Sequence, residues 1–290
     1  MNATAEAPAP APDLAGRSYL VTGASSGIGR VAAGALAGRG ARVFVAGRSI
    51  ERCEAVAADL RARLGADRAE ALVLDLADLA SVRESAQRFL DRGVALAGLI
   101  NNAGLAGSRG LTRDGFEIHF GVNHLGPFLF TRLVERRLRE GAPARVINVS
   151  SQAHRQIAAI DWAALRQTTR TRTGLREYGV SKLCNVLFAR ELARRWAGSG
   201  VTTYALHPGV VATDIWRRVP QPLHWLMTRF MISADVGART TVMCATAPEL
   251  AGASGRYYDR EREVSPSRLA QDDALAARLW DESEKMVGLA

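Results

Sequence analysis

The stretch VTGASSGIGR, residues 21–30, decides the fold because it joins a predicted strand to a predicted helix through a glycine-rich turn. The residues before it are apolar and β-branched, and apolar residues recur at helical spacing from Ile28 to Leu36. The glycines are spaced G-x3-G-x-G, which departs from the G-x-G-x-x-G of many dinucleotide-binding turns. The physics is shared, because glycine lets backbone approach a pyrophosphate and a helix N-terminus offers free N–H groups.

We therefore predict that this turn binds the phosphates of a dinucleotide. A glycine-rich turn without a ligand is the alternative, but its position between the first strand and the first helix of a βαβ unit favours phosphate. The two serines can add hydroxyl donors or cap the helix. The residues assigned to this contact are Gly23, Ser25, Ser26, Gly27, Ile28 and Gly29.

Short apolar runs alternate with helical patterns along the rest of the chain. Strands are predicted at residues 18–23, 42–47, 71–76, 96–102, 145–151 and 201–207, with 255–259 as a candidate seventh. Helices are predicted from residue 28 and at 50–64, 78–91, 113–139, 178–197 and 234–246. Near-continuous apolar strands suit a parallel sheet covered on both faces, and the alternation implies right-handed βαβ crossovers. We predict an α/β fold with a doubly wound, mostly parallel, Rossmann-type sheet of about seven strands.

Length and composition favour one domain. The chain has 290 residues, of which 48% are apolar, and no internal repeat or mid-chain linker divides it. We predict a disordered Ala/Pro leader over residues 1–15 and a single domain over residues 16–290. The leader lacks the basic and apolar regions of a signal peptide, and no apolar stretch approaches the ~20 residues that span a bilayer. The sequence therefore predicts no transmembrane segment.

Charge and cysteine usage exclude several classes of protein. The net charge of +9 raises a nucleic-acid hypothesis, but the arginines are scattered over predicted helix faces and no zinc-finger or aromatic-basic RNA motif occurs. Three distant cysteines, Cys53, Cys184 and Cys244, imply no disulfide framework, so a reduced, cytoplasmic location is expected. The histidines show no metal-ligand spacing. We predict neither a nucleic-acid partner nor a metal site, and a homo-oligomer stays open.

The end of the second predicted strand discriminates between the two nicotinamide dinucleotides. An acid there would bind the adenosine ribose 2′-hydroxyl, whereas an arginine accommodates a 2′-phosphate. The sequence has Arg48 and Ser49 at this place and no acid until Glu51. Arginine is abundant in this chain, so the missing acid weighs more than the arginine that is present. We predict a preference for NADP(H) over NAD(H), with Arg48 beside the 2′-phosphate.

Several motifs in order carry a resemblance to a known family. The glycine turn, NNAG (101–104) and YGVSK (178–182) resemble the short-chain dehydrogenase/reductase family over about residues 17–260. A narrower resemblance, to the retinol-dehydrogenase-like branch that acts on lipophilic alcohols and carbonyls, rests on FGVNHLGPF (120–128), RVINVSSQAH (145–154) and LHPGVVAT (206–213). Many members of that branch carry an N-terminal membrane anchor, where this chain has its Ala/Pro leader. Membrane association is therefore not expected to carry over.

The resemblance implies four catalytic residues, Asn123, Ser151, Tyr178 and Lys182. Tyr178 and Lys182, which are also expected to contact the cofactor, share one helix face at i, i+4. A tyrosine pKa near 10 is too high for efficient proton exchange at neutral pH, and a nearby cation favours the phenolate. Ser151 is expected to bind the substrate oxygen, with Ser150 as the less favoured candidate, and Asn123 to kink a helix and hold a water behind the lysine.

The resemblance also implies further cofactor contacts. Asp75 and Leu76 are expected at the adenine, although Asp75 could instead cap the helix that begins near Asp78. The remaining contacts are Asn102, Ala103 and Gly104 at the adenosine ribose and Pro208, Val211 and Thr213 at the nicotinamide. An ordinary strand-to-loop turn would explain Pro208 equally well.

The segment DIWRRVPQPLHWLMTRFMI, around residues 214–233, is where the family places a substrate lid. Its large apolar side chains suggest a hydrophobic substrate. A core-packed helix, a dimer contact and a membrane-surface contact are alternatives, the last because Arg217, Arg218 and Arg229 suit anionic headgroups. We predict an NADP(H)-dependent oxidoreductase that interconverts a carbonyl and an alcohol on a hydrophobic small molecule.

Two other functions compete with this one. A dinucleotide-sensing protein without catalysis should lack one of the reactive residues, and here the serine, tyrosine and lysine are all present. A serine hydrolase would use His154, but no G-x-S-x-G elbow occurs. The silent sensor is therefore the alternative that stays open.

Overall fold

A computed structural model describes residues 13–209 and 233–290. One sheet contains eight strands: β1 (Ser18–Thr22), β2 (Arg42–Gly47), β3 (Ala69–Val73), β4 (Gly98–Asn101), β5 (Ala144–Val149), β6 (Val201–His207), β7 (Arg256–Asp259) and β8 (Arg262–Glu263). The helices are α1 (Gly27–Gly38), α2 (Ile50–Leu64), α3 (Leu79–Asp91), α4 (Ile118–Phe120), α5 (Gly126–Leu133), α6 (Glu135–Glu140), α7 (Leu175–Arg195), α8 (Ala234–Thr246) and α9 (Asp273–Val287).

The strand order β3-β2-β1-β4-β5-β6-β7-β8 is that of a doubly wound sheet. Every neighbouring pair is parallel except β7 and β8. The order reverses between β1 and β4, and ligands of such sheets bind outside the carboxyl ends of the strands at this switch point. The predicted Rossmann-type α/β fold is confirmed, and the short β8 extends the predicted strand set.

Helices cover both faces of the sheet. Leu20 and Phe44 face the layer that contains α3, α5, α7 and α9, whereas Val21 and Val45 face α1, α2 and α8. Because both faces are buried, the strands are apolar without alternation, as the sequence indicated. Leu14, inside the predicted leader, is buried against the second layer, and its amide donates to Arg39 O at 2.8 Å. The division into a leader and one domain stays a prediction.

Two predicted elements were misplaced. The strand predicted at 71–76 is β3 at Ala69–Val73, because its apolar run continues past the strand end through buried Leu74 and Leu76. The helix predicted at 113–139 begins only at Ile118, after an isolated bridge between Leu111 and Glu117, and is interrupted by a π-helical turn at Gly121–Leu125.

The C-terminal helix α9 was missed by the sequence reasoning. Asp272 caps its N-terminus by accepting from Leu275 N at 2.9 Å, and Gly288 ends it with φ of +68°. Its buried residues Ala276, Leu279, Trp280 and Ser283 follow helical spacing and pack it against α7. Within the described ranges, no helix is both long and apolar enough to cross a membrane.

Candidate active site

A cleft of about 540 Å³ opens at the carboxyl ends of the strands, at the switch point. Its lining includes the β1–α1 turn and Pro208 and Gly209 after β6. The predicted site residues that line it are Gly23, Ser25, Ser26, Gly27, Ile28, Arg48, Asp75, Leu76, Asn102, Ala103, Gly104, Ser151, Tyr178, Lys182 and Pro208. Two predicted residues, Gly29 and Asn123, do not line the cleft but pack against residues that do. Val211, Thr213 and residues 214–232 of the predicted lid lie outside the described residues, and Ser233 caps α8.

The β1–α1 turn is shaped for an anion. Gly23 has φ of +67°, and a Cβ there would come within 2.9 Å of Ala103 Cα, so only glycine fits without strain. Ser26 occupies the N-cap position of α1, yet its side chain makes no capping hydrogen bond. No acidic side chain lies in the first turn of α1. The serine hydroxyl and the helix N-terminus therefore stay available to a phosphate.

Gly29 acts behind the turn and does not line the cleft. A Cβ at this position would lie 2.5 Å from Asn102 Nδ2 and 2.6 Å from Gly23 O. Asn102 Nδ2 donates to Thr22 O at 2.8 Å, while Thr22 Oγ1 accepts from the amides of Asn102 and Ala103, both at 3.0 Å. Gly29 and Thr22 thus fix the NNAG loop against the β1–α1 turn. Thr22 was missed, although a hydroxyl at the end of an apolar strand was a signal for it.

Asp78 is the residue that caps α3, accepting from Ala80 N at 3.0 Å and Ser81 N at 3.4 Å. Asp75 therefore does not serve as that cap. Its Oδ1 accepts from Ala77 N at 3.0 Å, and the residue lines the cleft beside Leu76. The capping alternative for Asp75 is therefore wrong. Its carboxylate lines the cleft, where it can contact a ligand.

After β2, the guanidinium of Arg48 is exposed and lines the cleft together with Arg52, a residue the sequence reasoning did not select. In the described part of the chain no carboxylate is paired with Arg48. The nearest acid in sequence, Glu51, accepts from Ser49 Oγ at 2.6 Å, and this bond lowers the pKa of its carboxyl. Ser49 Oγ also caps α2 by accepting from Arg52 N at 3.3 Å. The cleft thus has two arginines near the end of β2, Arg48 and Arg52, and the carboxylate of Glu51 is hydrogen-bonded to the serine that caps its own helix.

The two serines after β5 have different environments. Ser150 is buried, and its Oγ donates to Lys182 O at 2.6 Å, so its hydroxyl is committed to the backbone of α7. Ser151 is half-buried, lines the cleft and begins a 3₁₀ turn at Gln152–Gln156, where its Oγ accepts from Ala153 N at 3.2 Å. Ser151 keeps a proton to donate, which makes it the better candidate for a ligand oxygen.

Tyr178 and Lys182 lie on the first turns of α7, both buried, with Lys182 Nζ 5.6 Å from the centre of the Tyr178 ring. Burial raises the pKa of Tyr178 above its usual value, and the nearby Ser151 side chain partly lowers it. Burial also lowers the pKa of Lys182 to about 8. The expected lowering of the phenol pKa is therefore not produced by the protein groups alone, because desolvation outweighs them.

The Lys182 ammonium is held from several sides. Its Nζ donates to Val149 O at 2.9 Å, and Asn185 Nδ2 donates to the same carbonyl at 3.1 Å. A Cβ on Gly104 would lie 3.3 Å from Nζ and 3.2 Å from Asn123 Oδ1. Gly104 thus keeps the NNAG loop close to the lysine without displacing it.

Asn123 lies in the π-helical turn that interrupts the helix, as the predicted kink required. Its Oδ1 accepts from Leu105 N at 2.9 Å, while its Nδ2 donates to Leu105 O at 3.0 Å and Ser181 Oγ at 2.9 Å. Asn123 therefore ties the loop after β4 to α7 at the residue next to Lys182. A π turn often marks a functional site, because it re-aims one side chain within a helix.

The lowered pKa of Lys182 predicts a pH-dependent stability. Between about 8 and 10.5 the unfolded chain binds more protons at this residue than the folded chain, so the free energy of unfolding rises with pH across this window. Urea unfolding at pH 7.5 and 10 should show a larger rise for the wild type than for Lys182→Met, by about 2–3 kcal/mol. Equal rises in the two proteins would contradict a buried, partly neutral lysine.

No group of His, Cys, Asp and Glu side chains within residues 13–209 and 233–290 could hold a metal ion. His207, at the end of β6, lines the cleft and was not selected from the sequence; its burial lowers its pKa to about 4, so the imidazole is neutral. The chemistry available at this end of the cleft is therefore that of a serine, a tyrosine and a lysine. These groups can bind an oxygen atom and exchange a proton with it.

Comparisons with known proteins agree with this geometry. A sequence profile of the family described as short chain dehydrogenase matches residues 17–223. Retinol dehydrogenase 13 of Homo sapiens is 41% identical over 288 residues, covering 95% of this chain and 86% of that protein. The crystal structure of an uncharacterized protein from Mycobacterium paratuberculosis has a TM-score of 0.77 and 37% identity, covering 96% of both chains. A Beutenbergia cavernae protein, described as an NAD(P)-dependent gluconate 5-dehydrogenase with NADP bound at low occupancy, has a TM-score of 0.67 and 28% identity, covering 86% of this chain and 96% of its own.

The chain belongs to the short-chain dehydrogenase/reductase family, in its retinol-dehydrogenase-like branch. The predicted family is confirmed. It makes the chain an oxidoreductase of alcohols or carbonyls whose cofactor is a nicotinamide dinucleotide, NAD(P).

Proposed function

We propose that the chain is an NADP(H)-dependent oxidoreductase that interconverts a carbonyl and an alcohol on a hydrophobic substrate, with Tyr178 as the proton donor and acceptor. The observation that carries this proposal is that Ser151, Tyr178 and Lys182 line the same cleft as the anion-shaped glycine turn. The single domain, the cytoplasmic location, the homo-oligomer and the lid around 214–233 stay predictions.

The lining of the cleft supports a dinucleotide site. The uncapped Ser26 and the N-terminus of α1 would hold the pyrophosphate, and Asp75 with Leu76 would hold the adenine. Pro208 belongs to the same lining and would contact the nicotinamide. When bound, the dinucleotide supplies a hydride to the carbonyl carbon and, once oxidised, a positive charge near the phenol.

The chain's own residues supply the proton. Ser151 Oγ donates to the substrate oxygen and orients it, as a preorganised donor does in an oxyanion site. The phenol of Tyr178, whose pKa is raised by burial, carries a proton that it can pass to the developing alkoxide. Lys182, fixed by Val149 O, stabilises the phenolate that remains, and Asn123 ties the loop after β4 to α7 beside the lysine.

The exposed Arg48 guanidinium supports the NADP(H) preference. Its planar fork can donate two charge-assisted hydrogen bonds to a 2′-phosphate. We expect Arg48→Ala to raise the KM for NADPH by roughly 10- to 100-fold, because one charge-assisted contact to the 2′-phosphate is lost. The KM for NADH should stay nearly unchanged, because NADH has no 2′-phosphate. Steady-state rates at 340 nm with each dinucleotide measure this split.

Arg88→Ala is the matched control, because Arg88 is an exposed arginine paired with Glu84 on α3, away from the cleft. It should leave both KM values unchanged. A wild-type protein that uses NADH as efficiently as NADPH, or an Arg48→Ala variant that weakens both dinucleotides equally, would contradict the preference.

A hydrophobic substrate is supported by the apolar composition of residues 214–232 and by the family branch, in which the relative named above is a retinol dehydrogenase. A panel should contain retinal, bulky ketones and small polar carbonyls, each with NADPH. The proposal requires higher kcat/KM for the bulky hydrophobic members. Turnover of small polar carbonyls alone would overturn the substrate class while leaving the chemistry intact.

A further inference from the structure

His154 lies three residues after Ser151 and is fully buried at the 3₁₀ turn. Its Nδ1 lies 2.6 Å from Ser151 O, and its Nε2 accepts from Ser267 N at 3.1 Å. The histidine is thus bonded on one side to the residue proposed to bind the substrate oxygen. On the other side it is bonded to the segment that precedes α9.

These two partners fix where the proton of the imidazole resides. The Ser267 amide can only donate, so Nε2 must accept and carries no proton. The Ser151 carbonyl can only accept, so Nδ1 must donate. Burial lowers the pKa of His154, which keeps the ring neutral and preserves this single tautomer at neutral pH.

The hydrogen bond from Nδ1 bears on the position of Ser151. It holds the peptide plane that follows Ser151, and the His154 amide donates to the same carbonyl at 3.2 Å. The turn is held to the C-terminal part of the chain by two further side chains, since Arg155 Nη2 donates to Ser265 O at 2.6 Å and Gln152 Nε2 donates to Asp259 Oδ2 at 2.7 Å. Among the residues that the structure describes, His154 is the one that bonds both Ser151 and the C-terminal segment.

We propose that His154 is a positioning residue, whose Nδ1–H holds the carbonyl of Ser151 so that the serine hydroxyl points at the substrate oxygen, and whose tautomer is set by the backbone amide of Ser267. This inference rests on the proposed function, because it assigns Ser151 a role in turnover. It gives the C-terminal segment a part in catalysis through one backbone N–H, although that segment does not reach the cleft lining. The ring also packs edge-on against Tyr257, at 5.1 Å between centroids.

Two substitutions test the hydrogen bonds of the two imidazole nitrogens separately. His154→Asn places an amide N–H where Nδ1 lies, but its side chain is too short to accept the hydrogen bond from Ser267 N. His154→Gln places a carbonyl oxygen near the position of Nε2 and gives up the donation to Ser151. Arg155→Ala is the matched control, because it removes a bond from the same turn to the same segment without touching Ser151.

We expect His154→Gln to lose about tenfold in kcat, as befits a mispositioned oxygen donor, with NADPH affinity retained. His154→Asn should keep kcat within about threefold of the wild type, and so should Arg155→Ala. Hydrogen exchange should show the reverse pattern at the Ser267 amide, which stays protected in His154→Gln and exchanges faster in His154→Asn. In the wild type, ¹⁵N NMR should show His154 with its proton on Nδ1.

Equal losses of kcat in the two His154 variants would indicate a packing role alone and overturn the proposal, as would an Nε2–H tautomer. A wild-type protein that turns over no carbonyl would instead overturn the proposed function, and the catalytic part of this inference with it. Wild-type turnover separates the two failures, because a purely structural histidine leaves it high.

Discussion

Replacing Tyr178 by Phe should lower kcat by roughly 10²- to 10⁴-fold, the usual contribution of a positioned general acid. The phenol is buried and lines the cleft with Ser151 and Lys182, so its removal takes away the group proposed to pass a proton to the substrate oxygen. Phenylalanine keeps the ring and its packing. NADPH binding, measured by fluorescence titration, should therefore change little while turnover at 340 nm is lost.

Tyr258→Phe is the control for this substitution. Tyr258 is also a buried tyrosine, on β7, and its hydroxyl has no hydrogen-bond partner within the part of the chain that the structure describes. It packs in the layer with α1, α2 and α8, away from Tyr178. The Tyr258→Phe variant should keep the kcat of the wild type. A Tyr178→Phe protein with more than a tenth of wild-type kcat would contradict the assignment of Tyr178 as proton donor.

Lys182→Arg should lose activity by roughly 10²-fold or more even though the charge is kept, because the ammonium serves as a compact donor under the phenol. The space around Nζ is narrow: a Cβ on Gly104 would already lie 3.3 Å away, and Val149 O is bonded at 2.9 Å. A planar guanidinium would have to push the NNAG loop or the end of β5 aside. Steady-state rates with NADPH, together with the melting temperature, separate a catalytic loss from unfolding.

The chain contains its own control, because Lys285 is the only other lysine. It is exposed on α9 and pairs with Glu282 at 3.0 Å. Lys285→Arg should retain full turnover. If Lys182→Arg also stays within about threefold of wild type, any cation suffices at this position and the compact-ammonium argument fails.

Much of the fold and of the cleft could be predicted from local patterns. Apolar runs predicted the strands, and the glycine spacing predicted the turn, because the positive φ of Gly23 is a local property of the turn. Helix α9 was missed although Asp272, the buried spacing and Gly288 were all present in the sequence. Its buried face is defined by α7, an element far away in the chain, so the pattern alone did not indicate what would cover it.

The electrostatics of the site could not be predicted from spacing. The i, i+4 relation of Tyr178 and Lys182 suggested a lowered phenol pKa. Burial instead raises the pKa of Tyr178 and lowers that of Lys182. Desolvation depends on the whole packing of the fold, whereas the charge relation depends on one helix turn. The bonds of His154 to Ser151 and Ser267 were hidden for the same reason, since they join residues from distant parts of the chain.

The most direct test of the account is the fate of the hydride. Wild-type protein should be incubated with a bulky hydrophobic aldehyde and NADPH deuterated at C4 of the nicotinamide, and the product analysed by mass spectrometry. The account predicts an alcohol that carries one deuterium on the former carbonyl carbon, formed with stoichiometric loss of absorbance at 340 nm and absent with Tyr178→Phe. Tight NADPH binding without any deuterated alcohol, across the carbonyl panel, would contradict it and identify the chain as a dinucleotide sensor.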